Sequence, residues 1–516
     1  MKNHLFLFIL LLSFYSTKGQ ENNTHKKEIL NLDVERDFFI EKQLDLYTVL
    51  PSTLSLWAHS DWSTISFNGT YSEGDFKTTD ECKTNSELAF KTESVQSYDS
   101  KSLKLYGSFS FSSGNHEQAN WNQFYKKSTI GSPFKIVTKR IGDWRTKHYG
   151  LSGMLTKKIN KRIELGVSLT YDGDLYLRTL DTRNEQYNLR INLQSSMTYS
   201  MGQDKYLSLG IAYKRKKSKP EFHNSFKATS EEYYLYPLSD MGNFDDVLNS
   251  ESVIITDQNP SFTLAFHSGS KNKFSASYTY YPGLEKWKNP ITSVKGDLSD
   301  KLFKYDYNRH NLVGSYLTNS TQYYLLSKAK VELISGKGFK YNKGYRDSYI
   351  YDGIKFNSSI DLLRNQKNIF DQSGLELDVE NVSKKDLTNA HLMEYTNLKI
   401  NLHTGFNFDL NTLNKFKFTM NGGYKYNLSY NHDLASASSM HYTTNLAHNE
   451  MAFYTADYYN IGAKLSWFHK FKNIKTEWAL NYDKISPTNI KINNQYSILE
   501  KSTNQTYIGL NFNLIF

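Results

Sequence analysis

Apolar and polar residues alternate with a period of two along most of this chain. Ile163, Leu165, Val167, Leu169 and Tyr171 are separated by Glu164, Gly166, Ser168 and Thr170. The same spacing recurs in Leu189, Ile191, Leu193 and Met197, and again in Phe416, Phe418, Met420, Tyr424, Tyr426 and Leu428. This repeat gives a strand two unlike faces, whereas a helix would scatter the apolar residues around its circumference. The pattern predicts an all-β fold.

Two features select the kind of sheet. Many runs reach ~10 residues or more, against a mode of ~5–6 in globular sheets. A tilted strand needs ~9–11 residues to cross a bilayer. The polar face carries Lys, Arg, Asn and Thr for its full length, as a wet lumen requires. Eighteen segments can be placed between 64–72 and 505–516, including 147–158, 187–200, 205–215, 395–409 and 450–469. An even number fits a single-chain bacterial barrel. Alternation is poorest in 88–97, 309–318 and 373–382, so sixteen is the alternative count. The connections alternate in length. Those at 98–101, 159–161 and 201–204 are short; those at 113–146, 173–186, 216–260, 335–347, 383–394 and 431–449 are long. Short periplasmic turns and long outer loops define a transmembrane antiparallel up-and-down β-barrel.

Both ends of the chain agree with an outer-membrane location in a Gram-negative bacterium. Lys2, the apolar run Leu5–Leu12, and small residues Thr17 and Gly19 read as a secretory signal over 1–19, cleaved between Gly19 and Gln20. Residues 20–63 form a periplasmic segment or lumen plug, in which Val34 to Leu44 reads as a short amphipathic helix. The barrel occupies 64–516. Its last strand alternates through Ile508, Leu510, Phe512, Leu514 and Phe516, a terminal pattern similar to the one the barrel-insertion machinery recognises.

Composition narrows the class. The 516 residues include 39 Tyr and 31 Phe, yet mean hydropathy is −0.61. That excludes a polytopic helical membrane protein, whose spans each need ~20 mainly apolar residues. A single cysteine, Cys82, excludes an internal disulfide framework and reads as a free thiol in a loop. Inward positions carry basic and acidic residues in near balance, so no ion selectivity follows. Glu376, Asp378 and Glu380 share one strand beside Lys355, Lys399 and His403, which reads as cross-strand ion pairing. Tyr71, Tyr171, Tyr213, Tyr280, Tyr430 and Tyr482 fit an interfacial girdle.

The net charge is +10. Lys126, Lys127, Lys139, Arg140, Arg145 and Lys147 are candidate contacts for lipid A phosphates. Lys214, Arg215, Lys216, Lys217 and Lys219 form a second basic run. Nucleic acid is the other common reason for such runs; an export signal argues against it. His432, Asp433, His441 and His448 share one outer loop beside Glu450, at a spacing that matches no metal motif. His267 and His403 are inward by phase, so neither serves a lipase-like triad at the membrane edge. No phosphate-binding loop is present. The expectation is a non-enzyme without cofactor or metal.

Ile141-Gly142-Asp143-Trp144, leading into Tyr149-Gly150-Leu151-Ser152-Gly153, and the stretch Arg178-Thr179-Leu180-Asp181-Thr182-Arg183-Asn184 resemble an uncharacterised family of Bacteroidetes-type outer-membrane β-barrels. The resemblance implies an outer-membrane barrel and supplies no assigned activity. Within the second stretch, Asp181 and Arg183 are expected to pair and order the rim. The chain thus reads as a pore or channel-like component for solute uptake or export. The alternative is a non-conducting surface barrel whose loops bind a partner or polysaccharide. Its expected partners are outer-membrane lipid and lipopolysaccharide, the insertion machinery, and an outer-membrane or periplasmic transport protein, with no nucleic acid.

Overall fold

The computed structural model describes residues 48–56, 61–98, 102–124, 129–223, 234–239, 243–244, 252–269, 272–290, 301–320, 323–341, 346–364, 372–388, 390–411, 413–434, 441–471, 474–492, 499 and 503–516. The alternating segments fold as β1 (Trp62–Gly74), β2 (Thr84–Tyr98), β3 (Leu103–Ala119), β5 (Gly142–Lys158), β6 (Ile163–Arg178), β7 (Arg183–Gly202), β8 (Lys205–His223), β11 (Ile254–Ser268), β12 (Asn272–Lys288), β13 (Lys301–Asn319), β14 (Tyr323–Lys340), β15 (Arg346–Arg364), β16 (Gln372–Asp386), β17 (His391–Asp409), β18 (Asn414–Leu434), β19 (Asp457–Phe471), β20 (Ile474–Asn489) and β21 (Gln505–Ile515). Three short strands, β4 (Lys135–Val137), β9 (Tyr236–Ser239) and β10 (Asn243–Phe244), form a separate sheet.

The eighteen long strands make one antiparallel sheet that closes on itself. The seam joins β1 to β21, from Thr64↔Ile515 to Gly74↔Gln505. Closure leaves no unpaired edge, and an edge in lipid would strand a row of N–H and C=O groups. No described helix is long and apolar enough to cross a membrane. The pleat sorts the side chains as the period predicts. Leu151, Val167, Leu193, Leu402 and Leu480 face outward, each more than half exposed, while Thr198, Ser208, Thr263 and Asp361 are buried on the inner face. An apolar belt outside and polar residues inside are the signature of a transmembrane barrel of the outer-membrane type.

The strand count is eighteen, and the segments of weakest alternation all belong to the sheet. Two expectations are corrected. First, the strands run further toward the long-loop end than the periodicity showed. The expected loops 173–186, 335–347 and 383–394 shrink to 179–182, 341–345 and 387–390. Beyond the lipid belt both faces of a strand are polar, so the signal fades while the ladder continues. The basic run Lys214–Lys219 accordingly lies within β8. Second, the expected strand 450–469 begins only at Asp457, and His441–Thr455 is an α-helix. Its buried Ala447, Met451 and Thr455 recur every four residues, a helical spacing.

At the short-turn end, a 3-10 helix over Pro51–Leu56 packs inside the wall formed by β5, β6 and β7. Leu50 and Leu54 are fully buried. Ser52 N donates to Ser196 Oγ at 2.8 Å, Thr198 Oγ1 bonds Ser52 Oγ at 2.8 Å, and Gln194 Nε2 donates to Val49 O at 3.1 Å. The approach requires Gly166, where a Cβ would stand 2.2 Å from Ser52 N. The anticipated helix over 34–44, and Gly19 and Gln20, lie outside the described residues.

A closed barrel predicts heat-modifiable migration on a denaturing gel. The unboiled protein should run faster than the boiled protein, and identical mobility would contradict closure.

Candidate functional site

Loop and wall residues pack together inside the long-loop end of the barrel. Inward aromatic residues Trp287, Phe303, Tyr305, Tyr307, Tyr349, Tyr351 and Tyr395 form one buried cluster with Phe134 and Ile136 from the β3–β5 connection, Leu235 beside β9, and Met451 of the helix. Phe134 stacks on Phe303 with centroids 4.5 Å apart. Tyr395 stacks on Tyr454 at 5.3 Å. Each buried large side chain contributes about 1.5–3 kcal/mol, so the loops are held by a core of their own inside the barrel mouth.

Polar contacts fix the register of this closure. Lys135 Nζ lies 3.0 Å from Asp80 Oδ2 and 2.8 Å from Glu450 Oε1, tying three connections together. Burial opposes its charge, but Asp80 and Glu450 outweigh burial and hold the ammonium pKa above its ordinary value. Lys384 Nζ reaches Glu450 at 3.7 Å. The helix ends on the wall: Lys425 Nζ donates to Tyr454 O at 2.6 Å and Ala456 O at 2.9 Å, and Asn397 Nδ2 to Tyr454 O at 3.0 Å. A cation at a helix C-terminus satisfies orphan carbonyls and complements the dipole.

A charged recess of about 280 Å³ lies against the inner wall, lined by Lys330, Glu332, Lys355, Asn357, Asp378, Glu380, Asn397, Lys399, Lys425 and Tyr458. Cross-strand pairing neutralises much of it, as the sequence implied. Lys355 pairs with Glu380 at 2.7 Å, Arg309 with Glu332 at 2.6 Å, and Asn357 donates to Asp378. Lys399 makes no ion pair or hydrogen bond among the described residues and faces Asp378 in register. Elsewhere on the inner wall, His403 bonds Asp361 at 3.0 Å, and Arg190 lies 3.5 Å from Asp172 and 3.7 Å from Asp174. His267 is buried on the same inward face. The recess offers charges of both signs, amides and a phenol around this space, which suits a polar solute.

The other sequence-derived residues fall in three places. Lys126 and Lys127 lie outside the described residues. Arg145 and Lys147 stand exposed on the outward face of β5, whereas Lys139 and Arg140 are half-buried at the rim. Lys139 lies over the Tyr236 ring, and Arg140 O accepts from Arg178. Asp181 and Arg183 do pair, at 2.8 Å, but the pair sits at the surface with Arg183 52% exposed. Ile508, Leu510, Phe512 and Leu514 form the outward face of β21 against β1 and β20, and Phe516 follows at its end.

The rim is organised by Arg178, which sequence reading passed over. Its guanidinium is buried and donates to Leu180 O (3.1 Å), Thr182 O (2.9 Å) and Arg140 O (2.5 Å). Gly142 makes room, since a Cβ there would lie 2.5 Å from Arg178 Cζ. Gln123 Nε2 donates to Thr182 O at 3.1 Å, and Asp143 Oδ1 accepts from Gln118 N at 2.9 Å. Trp144 and Tyr176 pack with Ala119 and Cys82. Burial pushes the Cys82 thiol up to about 12, so the free thiol is in a loop but shielded. The stretch Arg178–Asn184 is thus part of a clasp between the β6–β7 hairpin and the β3–β5 connection.

The histidine loop is split. His432 Nε2 and His448 Nδ1 are 2.9 Å apart, joining β18 to the helix. Glu450 is engaged by Lys135, and the His441 side chain lies outside the described set. No group of three or more ligating residues suited to a metal occurs among the described residues.

Fold and belt define a transmembrane β-barrel whose long-loop end holds a buried core of loop and wall residues. Residues 51–516 match the model of a family of unknown function, DUF6850, and the chain belongs to that family. No curated protein matches it. Solved structures similar to it include the ferric preacinetobactin receptor BauA from Acinetobacter baumannii (7% identity, 88% of this chain and 80% of that chain, TM-score 0.39). The ferric yersiniabactin uptake receptor FyuA from Yersinia pestis has 8% identity over 89% and 80%, with TM-score 0.42. The monoaromatic hydrocarbon channel CymD has 10% identity over 91% and 91%, with TM-score 0.31.

Two predictions follow from these contacts. Arg178→Ala removes the donor shared by Leu180 O, Arg140 O and Thr182 O, of which Thr182 O keeps a second donor in Gln123, and should expose 119–142 to limited proteolysis. Asp181→Ala removes a single ion pair whose Arg183 side is exposed and should change the digestion pattern less; equal effects would contradict the clasp. Burial lowers the His448 pKa, so the docked helix binds fewer protons than a released one. Its closure is therefore fully stable above the ordinary histidine value of ~6.5 and weakens as pH falls through it. The pKa of His432, which touches His448, is lowered in the same direction, again chiefly by burial. The protection of 441–455 against hydrogen exchange, after correction for the slower intrinsic exchange at acid pH, should fall from pH 7.5 to 5, and His432→Gln with His448→Gln should remove that fall; unchanged protection in the native protein would contradict it.

Proposed function

We propose that this protein is a gated outer-membrane barrel for passage of a polar solute, closed at rest by its own outer loops. The observation that carries this reading is the charged recess: beneath an apolar closure the lumen stays hydrophilic, as a transport path requires. The short turns then face the periplasm and the long loops face outside. Opening requires displacement of the helix His441–Thr455, whose docking rests on Lys135, Lys384 and Lys425. Residues 1–19 serve export, the alternating C-terminal strand serves the insertion machinery, and a periplasmic or outer-membrane partner drives or captures the solute. The protein acts without enzymatic chemistry.

A second reading is favoured by the aromatic core in the barrel mouth: a non-conducting barrel whose fixed outer loops bind a partner or polysaccharide. Conductance in a planar bilayer separates the two. The intact protein should be closed, and a variant with 435–456 replaced by a short Gly-Ser turn should conduct. Absence of conductance after that change and removal of 20–60 would overturn the transport reading. For the export signal, N-terminal sequencing of protein from outer membranes should begin at Gln20; a sequence beginning at Met1 would contradict cleavage.

A further inference from the structure

The pleat divides the basic run on β8. Lys214 and Lys216 point toward the lumen, where Arg190 and Asp257 surround them. Arg215 and Lys217 are exposed on the outward face beyond Tyr213, just as Arg145 and Lys147 are on β5 beyond Tyr149. None of these four cations has a hydrogen bond or ion pair among the described residues. Nearby carboxylates are occupied: Glu221 pairs with Lys219 at 2.5 Å, Glu185 accepts from Tyr187, and Asp181 pairs with Arg183.

The register places both pairs at the membrane edge. Lys147 is aligned with Lys219 through Leu175 and Tyr187, and Arg215 lies four positions below Lys219 on the same strand. That is roughly 13 Å along the strand over about 14 Å across three strand spacings. The slope matches the ~35–45° strand tilt of these barrels, so Lys147 and Arg215 stand at one height. Between and below them the wall is apolar. Lower still it is dented where Gly107 faces Gly153, with nothing within 4 Å of either added Cβ. Leu105, Leu155, Val167, Leu169 and Leu193 line that groove.

We propose that the outward wall from β5 to β8 seats a phosphorylated lipid A headgroup of the outer leaflet. Arg145 and Lys147 bind one anionic end, Arg215 and Lys217 bind the other, and acyl chains lie over the apolar wall beneath. Charge-assisted bonds from Arg and Lys to phosphoryl oxygens supply the affinity. The proposal rests on the outer-membrane reading, and heat-modifiable migration checks that reading separately.

The test uses the full chain folded in detergent, with lipid A, dephosphorylated lipid A and inorganic phosphate as probes. Lipid A should bind, and inorganic phosphate should not displace it. Arg145→Ser with Lys147→Ser, and separately Arg215→Ser with Lys217→Ser, should each weaken binding about tenfold or more. Lys157→Ser with Lys158→Ser, at the opposite end of β5, should leave it unchanged. Equal binding of the dephosphorylated lipid, displacement by phosphate, or equal weakening by the control pair would each overturn the proposal. All variants should keep their heat-modifiable migration, because every substituted side chain is exposed.

Discussion

Everything in this molecule depends on a closed ladder of backbone hydrogen bonds. In lipid, an unpaired N–H or C=O has no water to turn to, so a sheet can cross only by returning to its first strand. The β1–β21 seam does this over eleven consecutive register positions. Once the ladder closes, the period-two pleat has one consequence everywhere: odd and even residues meet lipid or lumen. A chain of mean hydropathy −0.61 can then present a continuous apolar belt.

The same constraint creates an electrostatic problem inside. An eighteen-stranded ring encloses more space than its own side chains fill, and its inner face carries charges of both signs. At mid-height those charges pair across strands, as Lys355 does with Glu380. Toward the long-loop end the inner face turns aromatic, and loops enter to cover it. The short-turn end uses different means, a 3-10 helix bonded to small polar residues at Gly166. The barrel thus carries an apolar core at its long-loop end and a charge-lined recess below it, the arrangement on which the proposed gate rests.

Legibility followed the lipid. Where a strand crosses the belt, alternation is enforced and the spanning segments were readable down to the inward phase of His267 and His403, most weakly at 88–97, 309–318 and 373–382. Above the belt both faces are polar, so strand ends merged with loops, and the helix over 441–455 was divided between an expected loop, 431–449, and the first residues of an expected strand, 450–469. The clasp around Arg178 was missed because its partners are backbone carbonyls, which leave no residue-type signature. The visible Asp181–Arg183 pair drew attention instead. The division of Lys214–Lys219 between lumen and lipid was implicit in the pleat, once the run was known to lie within a strand.

The most direct test of the account is the accessibility of Met451, a helix residue with no exposed surface inside the barrel mouth. Cys82 is buried with its thiol pKa pushed up to about 12 and does not compete for reagent at neutral pH. In intact outer membranes, Met451→Cys should resist a bulky membrane-impermeant maleimide until the helix is released. Rapid labelling of the resting protein would show that the loops do not occupy the lumen, and would contradict the gated barrel proposed above.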